Sequence, residues 1–282
     1  NPVNATNASY VVDAKQIYFP DVDFYNQNGW INYGQLPYRF QPPDGYGPIS
    51  VSRALKPEIG TPQKYFAIRN WAGNGGTGTR EVVSDLQFRP DLIFIKARTN
   101  GDTRYWVASD SVRGKGSNGA YWRNFPANTM VNTNDGYDIT DISDTGFTVN
   151  KAGDYSNASS TDYGSFSWRA GGGSDSQSNE FWKDGIKYAS VSAAGMDVGS
   201  INATACSVGT EQGFSIVQYA GNSTDGATIA HGLSKPPDFY MCKVFSGTTQ
   251  GTAGAHWRVG HKFCATDGNG LTYDNSNGLY LS

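Results

Sequence analysis

The hydrophobic positions fall in short runs, each closed by Gly, Asn, Asp or Pro, and such runs predict strands separated by turns. The first set covers residues 65–71, 91–96, 105–108, 146–149 and 165–168. A second covers 214–219, 238–244 and 256–259. Only residues 181–196, around YASVSAAGM, could carry a helix, and β-branched Val191 together with Gly195 limits it to a short helix or a helical turn. The pattern predicts an all-β chain.

The two sets are copies. FAIRNWAGN, from Phe66 to Asn74, recurs as FSIVQYAGN, from Phe214 to Asn222, 148 residues on, where chance would give about one identity. With one residue deleted, LQFRPDLIFIK (Leu86 to Lys96) meets LSKPPDFYMCK (Leu233 to Lys243), Trp106 meets Trp257, and NGAYWRN meets NGLTYDN. The expected organisation is a preceding segment over 1–62 that ends in a Pro-rich linker, a first module with trailing linker over 63–212, and a second, incomplete copy over 213–282. The second copy has no counterpart of DTGFTVN (Asp144 to Asn150) or YGSFSWRAGG (Tyr163 to Gly172), so an unseen continuation or another chain is expected to supply those strands. The chain opens on Asn1, and is read as processed or as the interpretable part of something longer.

Composition narrows the function classes. Acidic residues number 25 against 22 basic, which leaves no excess of positive charge to hold a polyanion, so nucleic acid is not an expected partner. No run approaches 18 apolar residues and the start lacks the charge and hydropathy pattern of a signal peptide, so no membrane insertion is expected. The 35 glycines and 13% aromatic residues suit a turn-rich β protein whose large rings fill the core. Cys206, Cys242 and Cys264 form no CxxC and read as small core residues.

Candidate chemistry is sparse. His231, His256 and His261 accompany no GxSxG nucleophile motif; His231 reads as a turn or capping residue, and no shared metal is expected for the other two. The clusters Asp21, Asp23, Asn26, Asn28 and Asn132, Asn134, Asp135, Asp138, Asp141 could offer oxygens to calcium, but neither has EF-hand spacing and turn formation explains both. The glycine-rich AGNGGTGT from Ala72 is a loop between strands, with no GK[ST] after it. The sequons at Asn4, Asn7, Asn157, Asn202 and Asn222 arise easily in a chain rich in Asn, Ser and Thr. No cofactor, no metal and no catalytic residue is expected. Trp71 with Tyr219, and Trp106 with Trp257, recur in both copies and are expected to fill the same core positions twice. Tyr121, Trp122, Arg123 and Asn124 form the candidate glycan contact, two aromatics beside polar partners in a polar loop.

The ordered series NWAGNGGTGTREVVSDLQFRPDLIFIKAR, SDSVRG, DTGFTVN, WRAGGG and YASVSAAGM resembles the tandem β modules of tail-fibre and other virion-associated proteins of tailed bacteriophages, marine and cyanobacterial ones in particular. Upstream, INYGQLPYRFQPPDGY resembles the closing strand of a SPRY-type, lectin-like sandwich. The resemblance covers roughly residues 29–282. It implies tandem β-sandwich modules, jelly-roll or lectin-like, with short connectors, in a structural virion protein at the tail or capsid surface that is not an enzyme. It further implies copies of itself, as a trimer, and other virion proteins as partners, with host-surface glycan as a target. The alternatives are a carbohydrate-binding lectin-like module and a bacterial extracellular adhesin or filament subunit.

Overall fold

A computed structural model of the chain describes residues 59–76, 78–99, 106–116, 121, 123–124, 132–133, 139–150, 155–175, 179–244, 246, 257–261 and 279–281. The chain divides into two compact units, Asn1–Gly60 and Thr61–Ser282. The SPRY-like strand and the first acidic cluster lie outside the described residues.

After a 3-10 turn at Pro62–Lys64, the described residues form β1 (Phe66–Ala72), β2 (Thr79–Val83), β3 (Leu92–Ala97), β4 (Val107–Asp110), β5 (Arg123–Asn124), β6 (Asn132–Thr133), β7 (Ile139–Ser143), β8 (Gly146–Asn150) and β9 (Asp162–Trp168). Then come β10 (Phe181–Lys183), β11 (Ile186–Tyr188), β12 (Ala203–Gly209), β13 (Phe214–Tyr219), β14 (Phe239–Cys242), β15 (Trp257–His261) and β16 (Leu279–Leu281). All eight strands expected from the hydrophobic pattern are present, displaced by no more than three residues.

The first copy is a sandwich of two sheets, one in the order β1-β9-β3-β4-β5-β6 and one in the order β2-β8-β7. Residues two apart on a strand share a face, so Ala67 and Trp71 of β1, Ile93, Ile95 and Ala97 of β3, and Tyr163 of β9 all point to one side. There they pack with Val83, Ile139, Ile142, Phe147 and Val149 of the other sheet in a single buried cluster. Trp71 stacks on Tyr163 at 5.7 Å and meets Phe147 edge-on at 5.8 Å. Its indole N–H donates to the Ser156 carbonyl at 2.9 Å, so the ring is buried with its polar atom satisfied.

A buried carboxylate closes the end of this sheet. Asp91, just before β3, accepts from the Ser111 hydroxyl at 2.7 Å and from the backbone N–H groups of Ala170 (2.7 Å) and Gly172 (3.2 Å), which follow β9. Burial pushes its carboxyl pKa up, and these donors oppose that.

The stretch read as a trailing linker carries strands of its own. β10, β11 and β12 join the first strand of the second copy in a sheet ordered β11-β10-β12-β13. Gly171 is required where the chain enters this sheet, because a Cβ there would stand 2.1 Å from the Val208 carbonyl oxygen. The last sheet, β14-β15-β16, pairs Phe239 with His261, the same register as Leu92 with Asp110 in the first copy.

The segment 181–196 corrects the helix expectation in its first half and matches the narrower one in its second. Asp184 and Gly185 both take positive φ, 51° and 83°, forming the two-residue turn of the β10–β11 hairpin. Residues 190–196 then make one helical turn. The Ser190 hydroxyl caps its start through the Ala193 N–H at 3.1 Å. Gly195 at φ 67° ends it, with the Gly195 N–H on Ser192 and the Met196 N–H on Val191.

Candidate functional site

The other face of the β1-β9-β3-β4 sheet is apolar but is not covered by the β2-β8-β7 layer. The register places Phe66, Trp168, Leu92 and Asp110 in one row, the last ion-paired with Arg113, and Ile68, Phe166, Phe94 and Ala108 in the next. Trp106 stands just before β4, with Phe94 edge-on at 6.4 Å and Phe166 at 5.7 Å. Phe66 lies 5.1 Å from Trp168, which in turn stacks on Phe214 of the second copy at 6.3 Å. Phe66 (37%), Ile68 (49%) and Trp106 (39%) remain exposed. Aromatic contacts of this kind hold the rings in a fixed array, each pair worth about 0.5–1.5 kcal/mol beyond its area. Asn70 and Lys96, which flank Gly164 in the next row, place polar groups at its margin.

Trp106 was expected in the core, and its position corrects that expectation: strand alternation turns it outward, opposite to Val107. Tyr219 is likewise 38% exposed and Trp257 half-buried, with the Lys243 ammonium 5.8 Å from the centre of the Trp257 ring. Trp71 alone of the four is in the core.

Of the four residues proposed to meet glycan, Tyr121 is fully buried and offers no ring face to a sugar, a correction to that part of the expectation. Its hydroxyl bonds Asp175 and accepts from Arg89 at 3.2 Å. Lys115 lies 5.5 Å from the ring centre and bridges Asp175 (2.7 Å) and Asp141 (3.1 Å). Burial raises the Tyr121 pKa far above the normal phenol range, the neighbouring Asp175 adds to the rise, and the group stays a neutral donor. This cluster ties the loop before β5 to the loop after β9. Trp122 lies outside the described residues. Arg123 and Asn124 form β5, opposite Ser109 and Ala108.

The remaining candidates divide similarly. His231 accepts from the Leu233 N–H at 3.0 Å and so caps a turn. His261 ends β15, and His256, Cys264, Asn134, Asp135 and Asp138 lie outside the described residues. Cys206 is buried, which pushes its thiol up to about 11, and Cys242 is half-buried. Asp141 is engaged by Lys115. Among the described residues no three His, Cys, Asp or Glu are grouped to hold a metal ion, and no helix is long and apolar enough to cross a membrane. Asn157, one of the sequon residues, is buried, with its side chain donating to Asn74 at 2.9 Å and accepting from Arg80 at 3.1 Å.

The paired sheets define an all-β sandwich-type protein, and its sequence carries an internal repeat. Over residues 61–281 the chain matches the model of a family described as a domain of unknown function (DUF7483), and it belongs to that family. No curated protein and no solved structure matches it.

Proposed function

We propose that this protein is a structural component of a tailed-phage particle, a tail fibre or other surface appendage, that works by contact rather than by catalysis and takes part in attachment to the host. The observation that supports the reading is the aromatic face on the outside of the first sandwich, where Phe66, Ile68 and Trp106 are exposed, since exposed apolar patches favour docking. The resemblance of the motif series to phage appendage modules supplies the setting, and copies of the chain, as a trimer, with other virion proteins are the proposed partners. Cryo-EM of purified particles tests it. Density for the repeat in symmetric copies on tail or capsid is the expected result, and an open helical polymer without a capsid would overturn the reading in favour of an adhesin or filament.

A second reading, a glycan-binding face, draws on the same rings with Asn70 and Lys96 at their margin, since sugars stack on aromatic planes and are oriented by polar neighbours. Binding of the chain to host-surface polysaccharide, lost in Trp106→Ala with Phe166→Ala, is the outcome that would favour it.

A further inference from the structure

The β1 strand and its repeat equivalent β13 use opposite edges. Beside β1, the Tyr65 carbonyl accepts from the Arg169 N–H at 2.8 Å and the Gly73 N–H donates to the Thr161 carbonyl at 2.7 Å, so odd-numbered residues face β9. Backbone groups alternate along a strand, and the residues on that edge are therefore Ala67, Arg69 and Trp71. Their counterparts are Ser215, Val217 and Tyr219. On β12, the Cys206 N–H and the Val208 carbonyl point away from β13, to Glu180 and Asp184. Ser207 and Gly209 consequently face β13, opposite Ile216 and Phe214. The even-numbered edge of β13 is thus the one that β12 holds, and the edge matching the β9 side is unpaired among the described residues, where β13 ends its sheet.

β14 shows the same vacancy from the other side. It pairs with β15 in the register of β3 with β4, and among the described residues no strand lies where β3 meets β9. The Tyr219 hydroxyl meets the Cys242 sulfur at 3.2 Å, linking strands whose counterparts in the first copy are separated by β9. Asp238, the repeat of Asp91, is exposed, whereas Asp91 is buried against the N–H groups that follow β9.

We propose that the lane between β13 and β14 seats one extended polypeptide strand of β9 chemistry. It runs antiparallel to both neighbours, sets an aromatic and small hydroxyl residues on the Tyr219 side and large aromatics on the Phe214 side, and ends in a glycine-rich turn clasped by Asp238. The order of the repeat names its source. In the first copy this strand lies in the same polypeptide, C-terminal to the β3–β4 hairpin, and the second copy's strand stands in the same relation to β14 and β15.

The test appends a second copy of residues 161–172 to the full chain after Ser282 through a 12-residue Gly/Ser linker, whose reach of roughly 19 Å exceeds the roughly 14 Å of three strand spacings from β16 to the lane. Amide exchange along β13 is then read residue by residue. In the unfused chain, Phe214, Ile216 and Gln218 exchange slowly and Ser215, Val217 and Tyr219 quickly. In the fusion the latter three slow by about 100-fold, while the oligomeric state of the chain is unchanged. Val217→Pro in the fusion, which removes an N–H from the lane edge and none from the β12 ladder, abolishes the slowing at Ser215 and Tyr219. Unchanged exchange in the fusion overturns the proposal. So does slow exchange of those three amides in an unfused, concentration-dependent dimer, which would assign the lane to a second copy of the chain.

Discussion

Trp71 and Tyr219 hold the same place in the two copies, yet Trp71 is 8% exposed and Tyr219 38%. The contrast extends to the next strand, where Ile93 and Ile95 of β3 are buried and their counterparts Tyr240 and Cys242 of β14 are only partly covered. Strand formation and strand burial are therefore separate consequences of the sequence. The local run of β-forming residues suffices to make β1 and β13 alike. Burial of their inner faces comes from elements far along the chain, namely β9 between the strands and the β2-β8-β7 sheet over them.

That comparison is broken most directly at its aromatic pair. Trp71→Ala is expected to lower unfolding free energy by about 3–5 kcal/mol, as for other large core rings. Tyr219→Ala is expected to cost less than about 1 kcal/mol. Urea midpoints of the two variants settle it, and equal losses would mean that both copies are buried to the same depth in solution.

The two aspartates give the next largest contrast. Asp91→Ala leaves the buried Ala170 N–H, the part-buried Gly172 N–H and the Ser111 hydroxyl without this acceptor and is expected to cost about 2–4 kcal/mol. Asp238→Ala, at an exposed position, is expected to cost less than Asp91→Ala, about 1 kcal/mol or below, measured the same way.

Acid sharpens the comparison further, because three carboxylates are held below their usual range: Asp85, by its hydrogen bond from Arg69, with Asp175 and Glu180. Burial pushes Asp175 and Glu180 up, but hydrogen bonds outweigh it, from Lys115 and Tyr121 to Asp175 and from Lys187, Ser174 and Trp182 to Glu180. A depressed folded pKa stabilises fully above the unfolded value of about 4 and loses that contribution as pH falls through the folded one. Asp91 has the opposite sign: its pKa is raised, so its contribution grows as pH falls through the raised value. Urea midpoints are expected to drop between about pH 5 and pH 2, and Asp175→Asn to remove part of the drop. The part removed is expected to be below about 1 kcal/mol, because Asp175 is half-exposed and screened by solvent.

The smallest effect belongs to the outer face. Trp106→Ala is expected to change stability by no more than about 1 kcal/mol while weakening whatever surface contact the protein makes, so thermal unfolding and particle or glycan binding should separate in that variant.

Strand positions were legible because each run carries its own turn signals, and the copies were legible because FAIRNWAGN and FSIVQYAGN share their identities within nine residues. What escaped depended on pairing over distance. β12 reads as linker by itself, with Ala203, Ala205 and Ser207 giving little strand signal, and is held by β10 on one side and β13 on the other. The strings GTPQ at 60–63 and GTEQ at 209–212 carry the repeat further upstream and associate β12 with the second copy. Asp184-Gly185 was a readable hairpin signal that the apolar content of 181–196 obscured. The aromatic face could have been found from alternation, since Phe66 and Ile68 fall on the opposite parity to Ala67 and Trp71. The composition argument that assigns rings to the core hides it. Trp122 lies outside the described residues.

The place of β9 between β1 and β3 also sets an order of events. Phe66 and Leu92 both pair with Trp168, so the middle strand of the sheet is the last of the three to leave the ribosome, about 100 residues after the first. At roughly 5–20 residues per second, β1 and β3 wait several seconds for it. Through that interval β1 and β3 lack the strand that pairs with both, and such long-range closure is slow compared with hairpin formation.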